Sequence, residues 1–542
     1  MKIYLVGGAV RDELLGTPVK DEDFVVVGGT PDYFLKNGYE QVGADFPVFL
    51  HPETKDEYAL ARKERKTGLG YGGFECDYDP SITLKDDLFR RDLTINALAK
   101  DPKTEKVIDY FGGMNDIKNK KLRHVSDHFR EDPLRVLRIA RFAARYKNYG
   151  FTIADDTQKM MCEMVKNGEL NHLNAERIKL ETDKAMLEDN PDEYFFILRE
   201  CGALSVIFPE VENLFGVPQP EQHHPEIDTG IHTMLVLQQA RQICKREDLN
   251  TNETLQVMWC SLTHDFGKAI TPEEVLPQHI NHEINGLDII RDFSERLRLS
   301  KKEKQLSLTC CKLHTMLHGI KASSAKSIVN LLNRADYFRN PEMFKLMTFA
   351  CEADSKGRTG LENRVYDQPE YLYSKIRFLD KIDQKSISEK VISKNNNPKE
   401  LGTEISDAIR QARLSLVKLA ISIDNDFDGF QKKYRFLKSL SNDSDKENLF
   451  SQGKQLFNNK DLLSVVLEEL DIDVSSKHFS NVEKFIERVN KINPQLMIEN
   501  GVRKEDMSKA IRDEKNIIFS DLFDNPEMKK KRKVNFLRNK SS

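Results

Sequence analysis

The chain has 542 residues, a formal net charge of −4, 39% hydrophobic and 31% charged residues, which implies roughly three or four domains with polar, helix-rich surfaces. The near-balanced charge excludes a uniformly basic nucleic-acid binder, so any such interface must be a local patch. No apolar run reaches membrane-spanning length, no signal-peptide pattern opens the chain, and eight cysteines without a C-x-x-C pair read as reduced core residues of a cytoplasmic protein, with no zinc framework and no membrane partner.

In chain order, IYLV reads as a strand, and Gly7-Gly8 then lets the backbone turn tightly and approach a ligand. VRDELLG follows as about two helical turns, stopped by Gly16. DEDFVVV returns as a second strand opening with Asp21 and Asp23, whose i, i+2 spacing puts them on one face. Two such carboxylates repel unless a cation sits between them, and Mg²⁺ prefers carboxylates together with substrate phosphates. A strand, a glycine turn, a helix and a strand with a metal clamp suit phosphoryl or nucleotidyl transfer. The arrangement resembles the polymerase-beta-like nucleotidyltransferase superfamily.

Downstream, RRDLTINALA places Arg90, Arg91, Asp92 and Asn96 at the end of an expected helix. EDPLRVLRIARFAARY then reads as a helix with Pro133 in its first turn. Arg135, Arg138, Arg141 and Arg145 fall within roughly a third of its circumference, and the remaining residues are almost all apolar. The helix is therefore buried, and its guanidiniums need acceptors: a triphosphate, or carboxylates of a neighbouring domain.

GGAVRD, DEDF, RRDLTINA, DYFGGMND and EDPLRVLRIARF, in this order, resemble the successive motifs of class II CCA-adding tRNA nucleotidyltransferases. The resemblance implies an α+β chain. A small polymerase-beta-like head with a mixed sheet is followed by an all-α neck and body, an α-helical HD domain and a helical C-terminal extension. It also implies that Asp21 and Asp23 hold the catalytic Mg²⁺, with Glu57 a third carboxylate on an adjacent strand. Gly8 and Arg11 would contact the incoming CTP or ATP, Arg91, Arg138 and Arg141 would bind the nucleotide, and Asp92 would face the ribose. Asp132 and Arg135 would read the base of the incoming nucleotide.

That last assignment has a physical logic. Cytosine and adenine both present an amine donor beside a ring-nitrogen acceptor, while uracil and guanine present the reverse. An ionised Asp132 only accepts and Arg135 only donates. Three residues apart on a helix they can lie side by side, and they would leave unpaired polar groups against U and G. In the family the switch from C to A falls to a flexible segment, for which the DYFGGMND glycines are the candidate.

Helical, polar-rich sequence fills residues 150–209, where the family places its tRNA-contacting helices. A second constellation starts at His232, continues through His264-Asp265-Phe266-Gly267-Lys268 and His282, and ends at Asp354. It resembles the H…HD…D metal set of HD-domain phosphohydrolases. Mixed imidazole and carboxylate ligands suit Mn²⁺, Co²⁺ or Ni²⁺ better than structural zinc. Within the CCA-adding family this fused domain marks the bacterial multifunctional type, which implies 2′,3′-cyclic phosphodiesterase, 2′-nucleotidase and phosphatase activities.

The expected domains are a nucleotidyltransferase head over 1–125, a neck and body over 126–222 and an HD domain over 223–375. Family C-terminal helices over 376–422 and an extension over 423–542, with a basic run Lys529–Lys533, complete them. The expected partners are tRNA, CTP and ATP, with monomer and homodimer both open. A poly(A) polymerase or A-adding enzyme with a degenerate or unrelated HD activity shares the N-terminal motifs and is the alternative; the fused HD domain argues against it.

Overall fold

A computed structural model describes residues 1–425 except 20, 43–47, 67–73, 377–378, 380–381, 383 and 394–397. The expected extension, with its basic run, lies outside the described residues beyond residue 425. Two compact units form: residues 1–314 with 342–366, and residues 315–341 with the described residues from 367 to 425. No helix among the described residues is long and apolar enough to cross a membrane.

The first unit begins with strands β1 (Lys2–Val6), β2 (Asp23–Val27), β3 (Glu40–Val42), β4 (Val48–Leu50) and β5 (Glu57–Leu60). A separate hairpin, β6 (Lys63–Lys66) and β7 (Phe74–Asp77), precedes β8 (Leu98–Lys100) and β9 (Val107–Asp109). Seven of these form one sheet in the order β3-β4-β5-β2-β1-β8-β9. Its strands pair antiparallel except β2 with β5, whose parallel register sets Asp23 opposite Glu57. Alternation along the strands divides the core between two faces. Val6 and Val25 join one cluster, while their neighbours Leu5 and Val26 enter others.

Helices α1 (Gly8–Leu15), α2 (Pro31–Lys36), α3 (Leu84–Phe89) and α4 (Gly113–Asn119) accompany the sheet. Gly16 ends α1 in the left-handed conformation, at φ 69°, which glycine adopts without a Cβ penalty. Two short strands, β10 (Lys121–Leu122) and β11 (Thr152–Ile153), flank α5 (Leu134–Tyr146) in parallel. All that follows in this unit is helical: α6 (Asp155–Lys166), α7 (Ala175–Met186), α8 (Pro191–Glu200), α9 (Ala203–Ile207), α10 (Pro209–Glu212), α11 (Thr229–Arg246), α12 (Thr251–Thr263), α13 (His282–Arg296), α14 (Lys301–His318) and α16 (Pro341–Lys356). The unit boundary falls within the last turn of α14.

In the second unit α15 (Ala325–Arg334), α17 (Gln368–Ile376) and α18 (Gln384–Ile392) pack against α19 (Pro398–Asn425). Arg410 and Arg413 on α19 donate to Asn330 and Asn333 at 2.9 and 3.2 Å.

Three local expectations change. Asp21 precedes β2 instead of lying in it, since the strand opens at Asp23. Arg91 and Asp92 lie past the end of α3, in a connection that tightens into a 3₁₀ turn at Thr94–Asn96. The two glycines of DYFGGMND have different reasons: Gly112 takes φ 81° with open space around it, while Gly113 is held to close packing. A Cβ on Gly113 would meet the Thr94 carbonyl oxygen at 2.3 Å, and Asp109 accepts four backbone N–H groups from Phe111 to Met114 at 2.8–3.1 Å.

Candidate functional site

The head encloses a cavity of about 640 Å³. Gly8, Arg11, Asp23, Glu57, Arg91, Asp92, Asp132, Arg135, Arg138 and Arg141 all line it, and Asp21 does not. Gly7 joins β1 to α1 at φ 71°, and a Cβ there would meet the Arg91 guanidinium at 2.7 Å. Gly8 has ordinary room, with Arg11 at 3.5 Å. The diglycine therefore needs its first member for backbone shape, and its second opens the helix.

Asp23 and Glu57 meet because β2 and β5 run parallel in register. Burial pushes the Asp23 carboxyl up, Arg91 pulls against that, and Asp21 adds to it. Burial likewise raises Glu57, with Asp23 and Asp21 reinforcing it. Two carboxylates raised in this way, side by side on paired strands, are suited to a cation that would offset their charge.

The opposite wall is cationic and held by a hydrogen-bond chain. Arg11 is buried and donates to Asn96 Oδ1 at 2.5 Å and to Asp12 Oδ1 at 2.8 Å. Asn96 donates to Asp92 at 3.0 Å, and Asp92 accepts from Arg138 Nε and Nη2 at 2.8 and 2.6 Å. Burial would raise the Asp92 carboxyl, but Arg138 outweighs it and holds the group far below the usual carboxylate range. Arg141 donates to Glu181 at 2.8 Å and Arg145 to Glu188 at 2.9 Å. Of the two acceptor classes open for this stripe, protein carboxylates serve these three arginines here, while all three still line the cavity.

Asp132 and Arg135 differ from expectation. Asp132 is not on α5; it sits extended at φ −119°, ψ 103° before Pro133. The proline ring disfavours the helical region for the residue ahead of it, so the spacing cannot be a helical one. Asp132 pairs with Arg177 of α7 at 2.8 Å and accepts from the Leu134 N–H at 3.1 Å. Arg135 donates to the carbonyls of His128 and Arg90 at 2.7 and 2.6 Å. Both still face the cavity, and Arg177 joins them there. Sequence reasoning missed Arg177 and Glu181, although their i, i+4 spacing in AERIKLE places both on one face of α7.

The second constellation is buried. His232 comes from α11, His264 and Asp265 follow α12, and Asp354 comes from α16. His232 Nε2 lies 3.2 Å from Asp354 Oδ1 and 3.9 Å from Asp265 Oδ2, and His264 Nε2 lies 3.2 Å from that same Asp265 oxygen. His232, His264 and Asp354 can each offer one atom to a single ion. Burial opposes a charged His264, but Asp265 and Asp354 lift it to about 9. Burial also opposes ionised Asp265, yet His264 and Lys268 keep it well below the usual range. Glu226 stands 3.0 Å from His232 Nδ1 and Lys268 2.6 Å from Asp265 Oδ2. The EIDTGIHT stretch carried Glu226 in plain view, but its contact with His232 depends on the loop before α11.

The class of protein follows from comparison with known families. Residues 3–123 match the poly A polymerase head domain, 150–215 match a probable RNA and SrmB-binding site of polymerase A, and 229–340 match the HD domain. The multifunctional CCA protein of Actinobacillus pleuropneumoniae serotype 5b (strain L20) is 53% identical over 370 residues, covering 68% of this chain and 89% of that one. That of Pasteurella multocida (strain Pm70) is 49% identical over 417 residues, 77% and 98% of the two chains. A solved CCA-adding enzyme in an apo form shares the fold, with a TM-score of 0.51 at 19% identity over 76% of this chain and 88% of that one.

A poly A polymerase head joined to an HD domain is thus the architecture. The chain belongs to the multifunctional CCA protein family.

Proposed function

We propose that this chain adds and repairs the 3′-terminal CCA of tRNA from CTP and ATP without a nucleic-acid template, and that its HD domain hydrolyses phosphoesters at RNA ends. One observation carries the transferase reading: a single cavity has Asp23 and Glu57 facing Arg11, Arg91, Arg138 and Arg141. Carboxylates fit a divalent ion and guanidinium forks fit phosphate oxygens in two-point geometry.

Asp21 and Asp23, with Glu57 beside them, would hold Mg²⁺, which when bound neutralises phosphate oxygens and orients the reacting groups. Gly8 lets the α1 N-terminus approach the triphosphate, and Arg11, Arg91, Arg138 and Arg141 bind it. Asp92, kept ionised by Arg138, accepts a ribose hydroxyl. Asp132, paired with Arg177, accepts the exocyclic amine shared by C and A, while Arg135 donates to the adjacent ring nitrogen. U and G present the reverse pattern and leave both groups unsatisfied. In the HD domain, His232, His264, Asp265 and Asp354 would hold Mn²⁺, Co²⁺ or Ni²⁺, and Lys268 supplies positive charge for a phosphate. The tRNA substrate implies a cytoplasmic site of action.

The test is incubation with tRNA lacking CCA, Mg²⁺ and each labelled nucleotide in turn. Ordered incorporation of C and then A is the expected result. Incorporation of A alone would favour the poly(A) polymerase reading, and no incorporation would overturn the transferase.

A further inference from the structure

We propose that Phe142 is a positioning residue for nucleotide addition, its ring serving as a shared, uncharged counter-surface for the guanidiniums of Arg11, Arg138 and Arg141. This deepens the transferase reading and rests on it, since those arginines are assigned there to the triphosphate. Within EDPLRVLRIARFAARY the phenylalanine reads as one more apolar residue of a buried helix. Its surroundings are not those of an ordinary core side chain.

Phe142 is 5% exposed and lines the cavity together with the three arginines. The guanidinium carbons of Arg141, Arg11 and Arg138 lie over the ring, 4.5, 5.6 and 5.8 Å from its centroid. All three fall inside the roughly 6 Å within which a cation is drawn to an aromatic face. They arrive from different directions along the chain. Arg138 stands one turn before Phe142 on α5, Arg141 directly precedes it, and Arg11 comes from α1. Arg11 also lies over Tyr146, 5.4 Å from its centroid, and the two rings are nearly parallel at 5°, with centroids 6.2 Å apart. The α1 and α5 contributions to the cationic wall therefore meet at Phe142.

Electrostatics give this ring a role that an aliphatic side chain could not fill. Guanidiniums gathered around one point repel one another. Each has a carboxylate partner: Asp12 for Arg11, Asp92 for Arg138 and Glu181 for Arg141. Another carboxylate in the middle would restrain them further, but it would also repel an incoming triphosphate. An aromatic ring is negative on its face and carries no net charge, so it attracts the cations without opposing the phosphates. Burial strengthens the attraction, because water is kept from the ring. Leucine would fill much of the same space and leave that side of the arginine group without any attraction. The ring acts on the arginines and not on the base, so CTP and ATP should feel its loss equally.

The experiment replaces Phe142, in the full-length chain, with mono-, di- and trifluorinated phenylalanine, and compares them with Phe142→Leu. Fluorine drains charge from the ring face in steps while changing its shape little, which separates cation binding from packing. KM for CTP and for ATP should rise with each fluorine, by the same factor for both nucleotides and by about 10- to 30-fold for the trifluorinated ring. The KM for tRNA and kcat should change little, the pattern of a lost binding interaction. Phe142→Leu should show at least the trifluorinated loss. A KM that stays flat along the fluorine series overturns the proposal, even where Phe142→Leu unfolds the chain, because the ring would then act by packing alone. A rise confined to one nucleotide overturns it too, since the ring would then act on the base. Failure of the unsubstituted chain to incorporate either nucleotide is a separate result and overturns the transferase reading itself.

Discussion

The two sites of this chain solve the problem of buried charge in opposite ways. In the head, cations and anions are already matched: Arg138 with Asp92, Arg141 with Glu181, Asp132 with Arg177. Under the proposed function, a polyanionic nucleotide would enter a cavity whose arginines already have acceptors and would exchange or share them. In the HD domain, four imidazoles and two carboxylates converge with their acceptor atoms inward, and His264 Nε2 and Asp265 Oδ1 make no hydrogen bond. The head thus pairs its charges within the protein, whereas the HD cluster gathers groups that could hold an ion.

The largest expected effect breaks the molecule along that line. Asp23→Asn should lower nucleotide addition by about 10³-fold or more, since a metal supplies several kcal/mol of charge stabilisation. It should leave 2′,3′-cyclic phosphodiesterase activity intact. Asp265→Asn should do the reverse, read by parallel assays on one preparation. Loss of both activities in either variant would mean the sites are not independent.

Next is stability. Arg141 and Glu181 are both buried, so Arg141→Met should strip Glu181 of its nearest partner, leaving Lys184 and Arg138 at 3.5 and 3.7 Å, and cost about 1–3 kcal/mol by denaturant melting. The double variant with Glu181→Met should recover most of that loss, which distinguishes pairing from packing.

An effect of similar size concerns the base. Arg177→Met releases Asp132 and should narrow the preference for CTP over UTP by roughly 10–100-fold, about 1–3 kcal/mol. Total turnover with CTP should fall much less. Unchanged discrimination would leave Arg177 a merely structural partner.

The smallest effect is the acid limb of stability. Burial raises Asp92 and Glu181, but Arg138 and Arg141 more than reverse this, so both have folded values below the unfolded ones. Their contribution is fully present above the ordinary carboxylate range near pH 4 and is lost as pH falls through it toward the folded values. Arg141→Met should flatten this part of a melting-temperature profile between about pH 5 and 3.

Much of the site was legible because its signals are local. The apolar run IYLV and the diglycine imply strand and turn, and the return strand carries Asp23 to the cavity, whereas Asp21 falls just ahead of that strand and outside the lining. Asp132 shows where local reading slips: i, i+3 spacing suggested one helix face, yet Pro133 was already there to forbid it. DYFGGMND shows another limit, since Gly113, needed for contact with the Thr94 carbonyl, looks the same in sequence as a glycine needed for backbone freedom.

Residue order by itself determined the chemistry: which side chains can hold a cation, which can fork onto phosphate, and where the backbone must turn. Only the folded arrangement decided partnership. Arg177 reaches Asp132 across 45 residues, Glu57 reaches Asp23 through a parallel strand pair, and His314 faces Asp265 from a different helix. Such pairings depend on burial and close approach between distant segments, and a linear pattern carries periodicity and spacing but not distance in space.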